Sequence, residues 1–134
     1  MLRLLTATLI FASSLSFAAT DPKAVIERWY VALAVIDRTA FESLLADDAV
    51  ISLDDLDTEQ TKKEFIESLD EWQDAMKGTT IQHKIESETS DSISVLVCYK
   101  FPDNETLGRE TFKIEGGAIK ESVQTTIAET CADY

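Results

Sequence analysis

His83 and Glu110 are the residues of this chain best placed to do chemistry. Each belongs to an alternating apolar run: His83 stands between Ile81 and Ile85, and Glu110 precedes Phe112 and Ile114. In a strand, residues two apart share a face, so both polar groups point where their apolar neighbours point. A carboxyl group in such surroundings has its charged form disfavoured, and a nearby imidazole counters that. The two could then serve as base and acid. Contact with a bound ligand and a purely structural hydrogen bond are the plainer roles open to the same pair. Trp29, Tyr30, Trp72 and Tyr99 either fill a core or line a cavity. The candidate ligand-binding set is Trp29, His83, Tyr99, Glu110 and Phe112.

Other chemistries find little support. His83 is the single histidine, and it stands apart in sequence from Cys98 and Cys131, so no zinc-ligand spacing is present. Asp55, Asp57 and Glu59 alternate as in a calcium loop, but Gln60 takes the place of the required glycine and Ile66 that of the closing glutamate. An acidic turn ahead of a helix is the better reading. There is no glycine-rich phosphate cradle and no Gly-x-Ser-x-Gly elbow. No cofactor and no metal are expected.

The elements that must carry these residues can be read from periodicity. Asp21-Pro22 opens a helix, with Asp as cap and Pro in its first turn. Val25, Ile26, Trp29, Leu33 and Ile36 then recur at helical spacing. Phe41, Leu44 and Leu45 mark a second, short helix, and Ala49 to Leu53 a short strand. A third helix begins near Thr58 or Thr61, the latter forming a capping box with Glu64, and Gly78 ends it. From there the period is two. Four strands follow, around Ile81–Ile85, Ile93–Phe101, Glu110–Ile114 and Ile119–Ile127. The expectation is an α+β fold: three N-terminal helices packed on a strongly curved antiparallel sheet that forms a cone with a pocket. The face of the last strand is open. Its apolar alternation puts Ile119, Val123 and Ile127 inward, whereas Ser122 and Thr126 are the alternative; a one-residue slip exchanges them.

Length and charge set the frame. At 134 residues a single domain is expected, and 12 Lys+Arg against 25 Asp+Glu leave a net charge of −13. So negative a surface disfavours nucleic acid and anionic membranes. Residues 1–18 read as a secretory signal: Arg3, an apolar stretch from Leu4 to Ala12, then Ser16-Phe17-Ala18 as a cleavage site. The stretch is too short for a permanent membrane span, so no membrane anchor is expected. The mature domain, 19–134, is expected in the periplasm or outside the cell. In that oxidising setting Cys98 and Cys131 are expected to pair within the chain. The alternative is a buried free thiol at Cys98 with Cys131 unpaired or paired between chains.

The order of elements, with Ala46-Asp47-Asp48-Ala49-Val50 after the second helix and Gly116-Gly117-Ala118-Ile119 before the last strand, resembles the nuclear transport factor 2-like superfamily. The SnoaL-like and ketosteroid-isomerase-like members are nearest in style. The resemblance spans about residues 22 to 128 and implies a conical fold enclosing a pocket, with homodimers through the outer sheet face. It is weak as to activity. Aligned without gaps on Ala46–Ala49, the isomerases' first-helix tyrosine falls on Trp29, their aspartate base on Leu53 and their protonated aspartate on Glu110. An indole is not acidic like a phenol and Leu53 cannot move a proton, so isomerase chemistry is not implied. The paired histidines of the dehydratases are missing too. The leading expectation is a secreted or periplasmic, non-catalytic module holding a small apolar or amphipathic ligand. The alternatives are a dimeric interaction protein with an acidic surface, and a cofactor-free isomerase or lyase using Glu110 and His83.

Overall fold

The computed structural model describes residues 21–134; the signal segment read at 1–18 lies outside them. Helix α1 runs Pro22–Val35, capped by the Asp21 side chain on the Lys23 N–H. Helix α2 runs Arg38–Leu44, capped in the same way by Asp37. Ile36, between them, takes a left-handed conformation at φ 55° to turn the chain. Helix α3 spans Lys62–Ala75, and its N-terminus is the expected box: Thr61 Oγ1 accepts from the Glu64 N–H while the Glu64 carboxylate accepts from the Thr61 N–H.

The strands are β1 Leu45–Leu53, β2 Thr58–Thr61, β3 Thr80–Glu88, β4 Ser92–Lys100, β5 Glu105–Glu115 and β6 Ala118–Ala128. They form a single open sheet in the order β2-β1-β6-β5-β4-β3. The α+β architecture is as expected, but the sheet is mixed rather than wholly antiparallel. β1 and β6 run parallel, with Val50 beside Glu121 and Leu53 beside Gln124. Parallel neighbours need a long crossover, and here nearly the whole chain from α3 to β5 supplies it. β2 was not anticipated either: Thr58-Glu-Gln-Thr61 has no apolar alternation and pairs only with β1, at the edge. The third helix therefore starts after Thr61, not at Thr58.

The three helices cover one face of the sheet. Trp29 is the hub of the core beneath them, with its ring centroid 4.9 Å from Phe41, 5.2 Å from Phe65 and 5.4 Å from Phe112. Val25, Ile26, Leu44, Ile51, Leu69, Val95, Val97 and Ile119 are fully buried in the same core. The sheet's other face carries a second, smaller cluster of Leu96, Cys98 and Leu107. The C-terminal residues lie on it. Cys131 is bonded to Cys98 at 2.03 Å, its N–H donates to Glu105 Oε2 at 2.8 Å, and Tyr134 packs beside them under Lys84. The intramolecular disulfide is thus present, and it pins the tail to part of the face on which a homodimer was expected.

β6 resolves the open question of its inward face by changing register. Lys113 pairs with Glu121 but Ile114 pairs with Ile119, so β6 carries an extra residue there. Such a bulge shifts the alternation by one. Ile119 and Ser122 are both inside, each fully buried, and Ser122 and Gln124 pair with the core-facing Phe112 and Glu110. Each of the two sequence readings therefore holds for part of the strand.

Candidate functional site

Adjacent strands bring Leu53, Gln124, Glu110, Val95 and Ile85 into one row across the inner face of the sheet. Side chains opposite one another in paired strands share a face, so Glu110 sits mid-row with apolar neighbours toward one edge and Gln124 toward the other. It is 3% exposed. Tyr30, from α1, donates to Glu110 Oε1 at 2.6 Å. Tyr99, from β4, reaches both carboxylate oxygens at 3.1 Å.

Burial pushes the Glu110 carboxyl above its ordinary range, while the hydrogen bonds from Tyr30 and Tyr99 and the nearby His83 pull against the rise. Burial also drives both phenols well above their usual values, and the Glu110 charge adds to it. Both phenols are therefore held as donors to Glu110. A carboxyl raised in the folded state leaves the fold most stable at and below 4.5, its ordinary value, and costs stability as the pH climbs toward its folded-state value. Glu110→Gln should consequently gain stability relative to wild type as pH rises from about 4 to 7, read by urea denaturation at each pH. A constant gap across that range would mean that Glu110 titrates as it does in water.

Two connected hollows flank the cluster, with volumes of about 330 and 540 Å³. They share Leu53, Leu56, Trp72, Tyr99 and Gln124 as walls, and Glu110 lines the first. The smaller is walled by an aromatic group. Tyr99 and Phe101 stack at 6.1 Å, and Trp72 stands edge-on to both at 5.8 and 6.1 Å. The Trp72 Nε1 is buried without a hydrogen-bond partner, an unmet donor on the wall. Asp55 lies at the rim of the smaller hollow and Glu71 at that of the larger. Asp55 Oδ2 accepts the Thr126 N–H at 2.7 Å, and the Thr126 hydroxyl together with that N–H holds its carboxyl below the usual range. Asp54 is taken up by Thr125 at 3.0 Å. Both acids of this turn thus tie it to β6. No group of three or more potential metal ligands occurs among the described residues.

The five candidate ligand-binding residues do not stay together. Glu110 and Tyr99 meet at the cavity wall. Trp29 touches the larger hollow but is 0% exposed and acts as the core hub. Phe112 is equally buried and lines neither hollow. His83 is separated from Glu110 by Tyr30: its ring stacks on the phenol at 4.2 Å, and its Nε2 bonds Glu27 at 2.9 Å. The expected acid–base pair is thus a carboxyl held by two phenols, with the imidazole behind one of them. The gap-free alignment puts the isomerases' phenol on Trp29. The hydroxyl that reaches the acid is that of Tyr30, while the Trp29 Nε1 is buried unpartnered. Gln124 and Trp72 complete the walls. Gln124 escaped notice because the bulge hid which face of β6 it occupies.

Solved structures similar to this chain share its fold. IdmH from Streptomyces antibioticus, a candidate polyketide cyclase, superposes with a TM-score of 0.70 over 80% of this chain and 92% of its own, at 18% identity. A candidate ketosteroid isomerase from Kribbella flavida gives 0.64 over 78% and 76%, at 16% identity. An LEH-like epoxide hydrolase of M. tuberculosis gives 0.61 over 78% and 80%, at 14%. No protein-family model and no curated protein sequence matches the chain. At these identities the likeness establishes the nuclear transport factor 2-like cone fold and leaves activity to be argued from the site.

Proposed function

We propose that this chain is an exported, non-catalytic binding module whose cavity holds a small apolar or amphipathic molecule. The observation that carries the reading is the cavity itself: two adjoining hollows that share Leu53, Leu56, Trp72 and Tyr99 as walls, with the buried Glu110 carboxyl on the wall of one of them. A few convergent polar groups in an apolar hollow orient a ligand. Isomerisation at carbon needs a base and a separate donor for the oxyanion that develops, and the two phenols beside Glu110 both spend their hydrogen bonds on that carboxyl. Asp55, at the rim of the smaller hollow, accepts the Thr126 N–H. Among the described neighbours are a candidate polyketide cyclase, a candidate isomerase and an epoxide hydrolase, all built around a cavity-forming fold, and this supports a ligand rather than an empty cone. The signal-like residues 1–18 and the Cys98–Cys131 bond favour a periplasmic or extracellular setting. A homodimer through the outer sheet face would have to form around the pinned tail.

The reading is tested by native mass spectrometry of protein isolated from its own cells. The expected species is a chain beginning at Ala19 with a small molecule retained non-covalently. A chain that keeps Met1 in the cytoplasm would overturn export. Turnover of a β,γ-unsaturated ketone that Glu110→Gln abolishes would replace the binding reading with the isomerase one.

A further inference from the structure

We infer that the molecule held in the cavity is an organic ammonium ion with an apolar body, its charge seated between Glu110 and the Trp72–Tyr99–Phe101 wall. This rests on the binding reading and specifies its ligand. Glu110 brings a carboxyl group to the cavity wall at 3% exposure. A buried carboxylate is costly unless a positive partner compensates it. No lysine or arginine lines either hollow. The single imidazole of the chain acts on Glu110 without touching it: its Nε2 is on Glu27 and its ring face is covered by Tyr30. Two phenols supply hydrogen bonds to Glu110 but no charge. Alone, such a carboxyl is relieved by taking up a proton; a cation entering the cavity would relieve it as a carboxylate, and no side chain lining the hollows supplies one.

The wall beside Glu110 suits such a guest. Faces of Trp, Tyr and Phe rings attract a cation within about 6 Å of their centroids, and more strongly where water is excluded. Three such rings meet here within 5.8 to 6.1 Å of one another. Leu53 and Leu56, which wall both hollows, offer the apolar body a continuous surface into the larger one. The rim adds Asp55 and Glu71, and the whole chain carries −13, so the field draws cations toward the mouth. A neutral alcohol is the fair competitor, because its oxygen could take the unmet Trp72 N–H. The experiment must separate the two.

Octylammonium, 1-octanol and octanoate share a chain length and differ in head charge. Each is titrated against N-phenyl-1-naphthylamine, a neutral fluorescent probe of apolar cavities, bound to the disulfide-intact domain. The titrations are run in about 1 M sodium chloride, where the screening length falls to about 3 Å and the general surface charge is muted. Octylammonium is expected to displace the probe at about tenfold or more lower concentration than 1-octanol, with octanoate weaker than both. Glu110→Gln, which keeps shape and removes charge, should erase that preference while the probe still binds. Should that variant not fold, Trp72→Leu takes its place and should weaken octylammonium more than 1-octanol. Equal or better displacement by 1-octanol overturns the ammonium proposal and leaves the binding reading standing. A preference that survives Glu110→Gln overturns it too, by assigning the effect to surface charge. Failure of the neutral probe to bind at all overturns the binding reading itself.

Discussion

Removing the Cys98–Cys131 bond should lower the stability of the domain by up to about 3.7 kcal/mol. The bond closes a loop with a sequence separation of 33, and the chain-entropy relation for a loop of that length gives this value as an upper figure. The bond also has packing behind it. Cys98 is fully buried on the outer face of β4 between Leu96 and Leu107, and the tail that Cys131 holds covers them together with Tyr134. Reduction frees the tail, so those leucines meet water. Urea denaturation with and without reductant measures the effect. Small domains are stable by only about 5–15 kcal/mol, so the shift in midpoint should be plain. An unchanged midpoint would mean that the tail stays docked through its own contacts, such as the Cys131 N–H bond to Glu105.

Trp29→Ala should cost about 3–5 kcal/mol, the range for deleting a large aromatic from a packed core. The indole is enclosed by Phe41, Phe65 and Phe112 on α2, α3 and β5, so its loss opens a void where three elements meet. Trp29→Phe should cost much less. It keeps a ring in place, and it also removes the buried Nε1 that has no partner, a group that itself carries a desolvation penalty. The same denaturation assay separates the roles of this residue. A Trp29→Ala protein of near-normal stability but poor probe binding would make Trp29 a ligand contact rather than the hub of the core.

Much of this architecture was legible because local signals agreed. The Asp21 cap, the Thr61–Glu64 box and the change of period after Gly78 each reflect chemistry confined to a few residues. What was hidden depends on long-range pairing. The parallel join of β1 to β6 has no signature in either strand. β2 is polar throughout because it is a short edge. The bulge near Lys120 moves one side chain out of step, and with it the assignment of Ser122 and Gln124 to the inner face.

The site followed the same division. Glu110 stood out as an acid in an apolar strand, and the structure places it at the cavity wall. Its partners came from residues 80 positions earlier on α1 and 11 earlier on β4. Tyr30 could not be told from Trp29 without the helix's rotation about its axis. His83 shares the inner face of the sheet, but Tyr30 occupies the space between it and Glu110, so a shared face did not amount to a contact.

Titration of the neutral probe N-phenyl-1-naphthylamine into wild type and Leu53→Trp tests the central claim most directly. Leu53 walls both hollows, and a tryptophan there should fill the space a ligand needs without touching Glu110, Tyr30 or Tyr99. The account predicts saturable binding at a single site per wild-type chain, weakened about tenfold or more by Leu53→Trp, as expected when a ligand's apolar burial is lost. Binding that does not saturate, or that Leu53→Trp leaves unchanged, would contradict it.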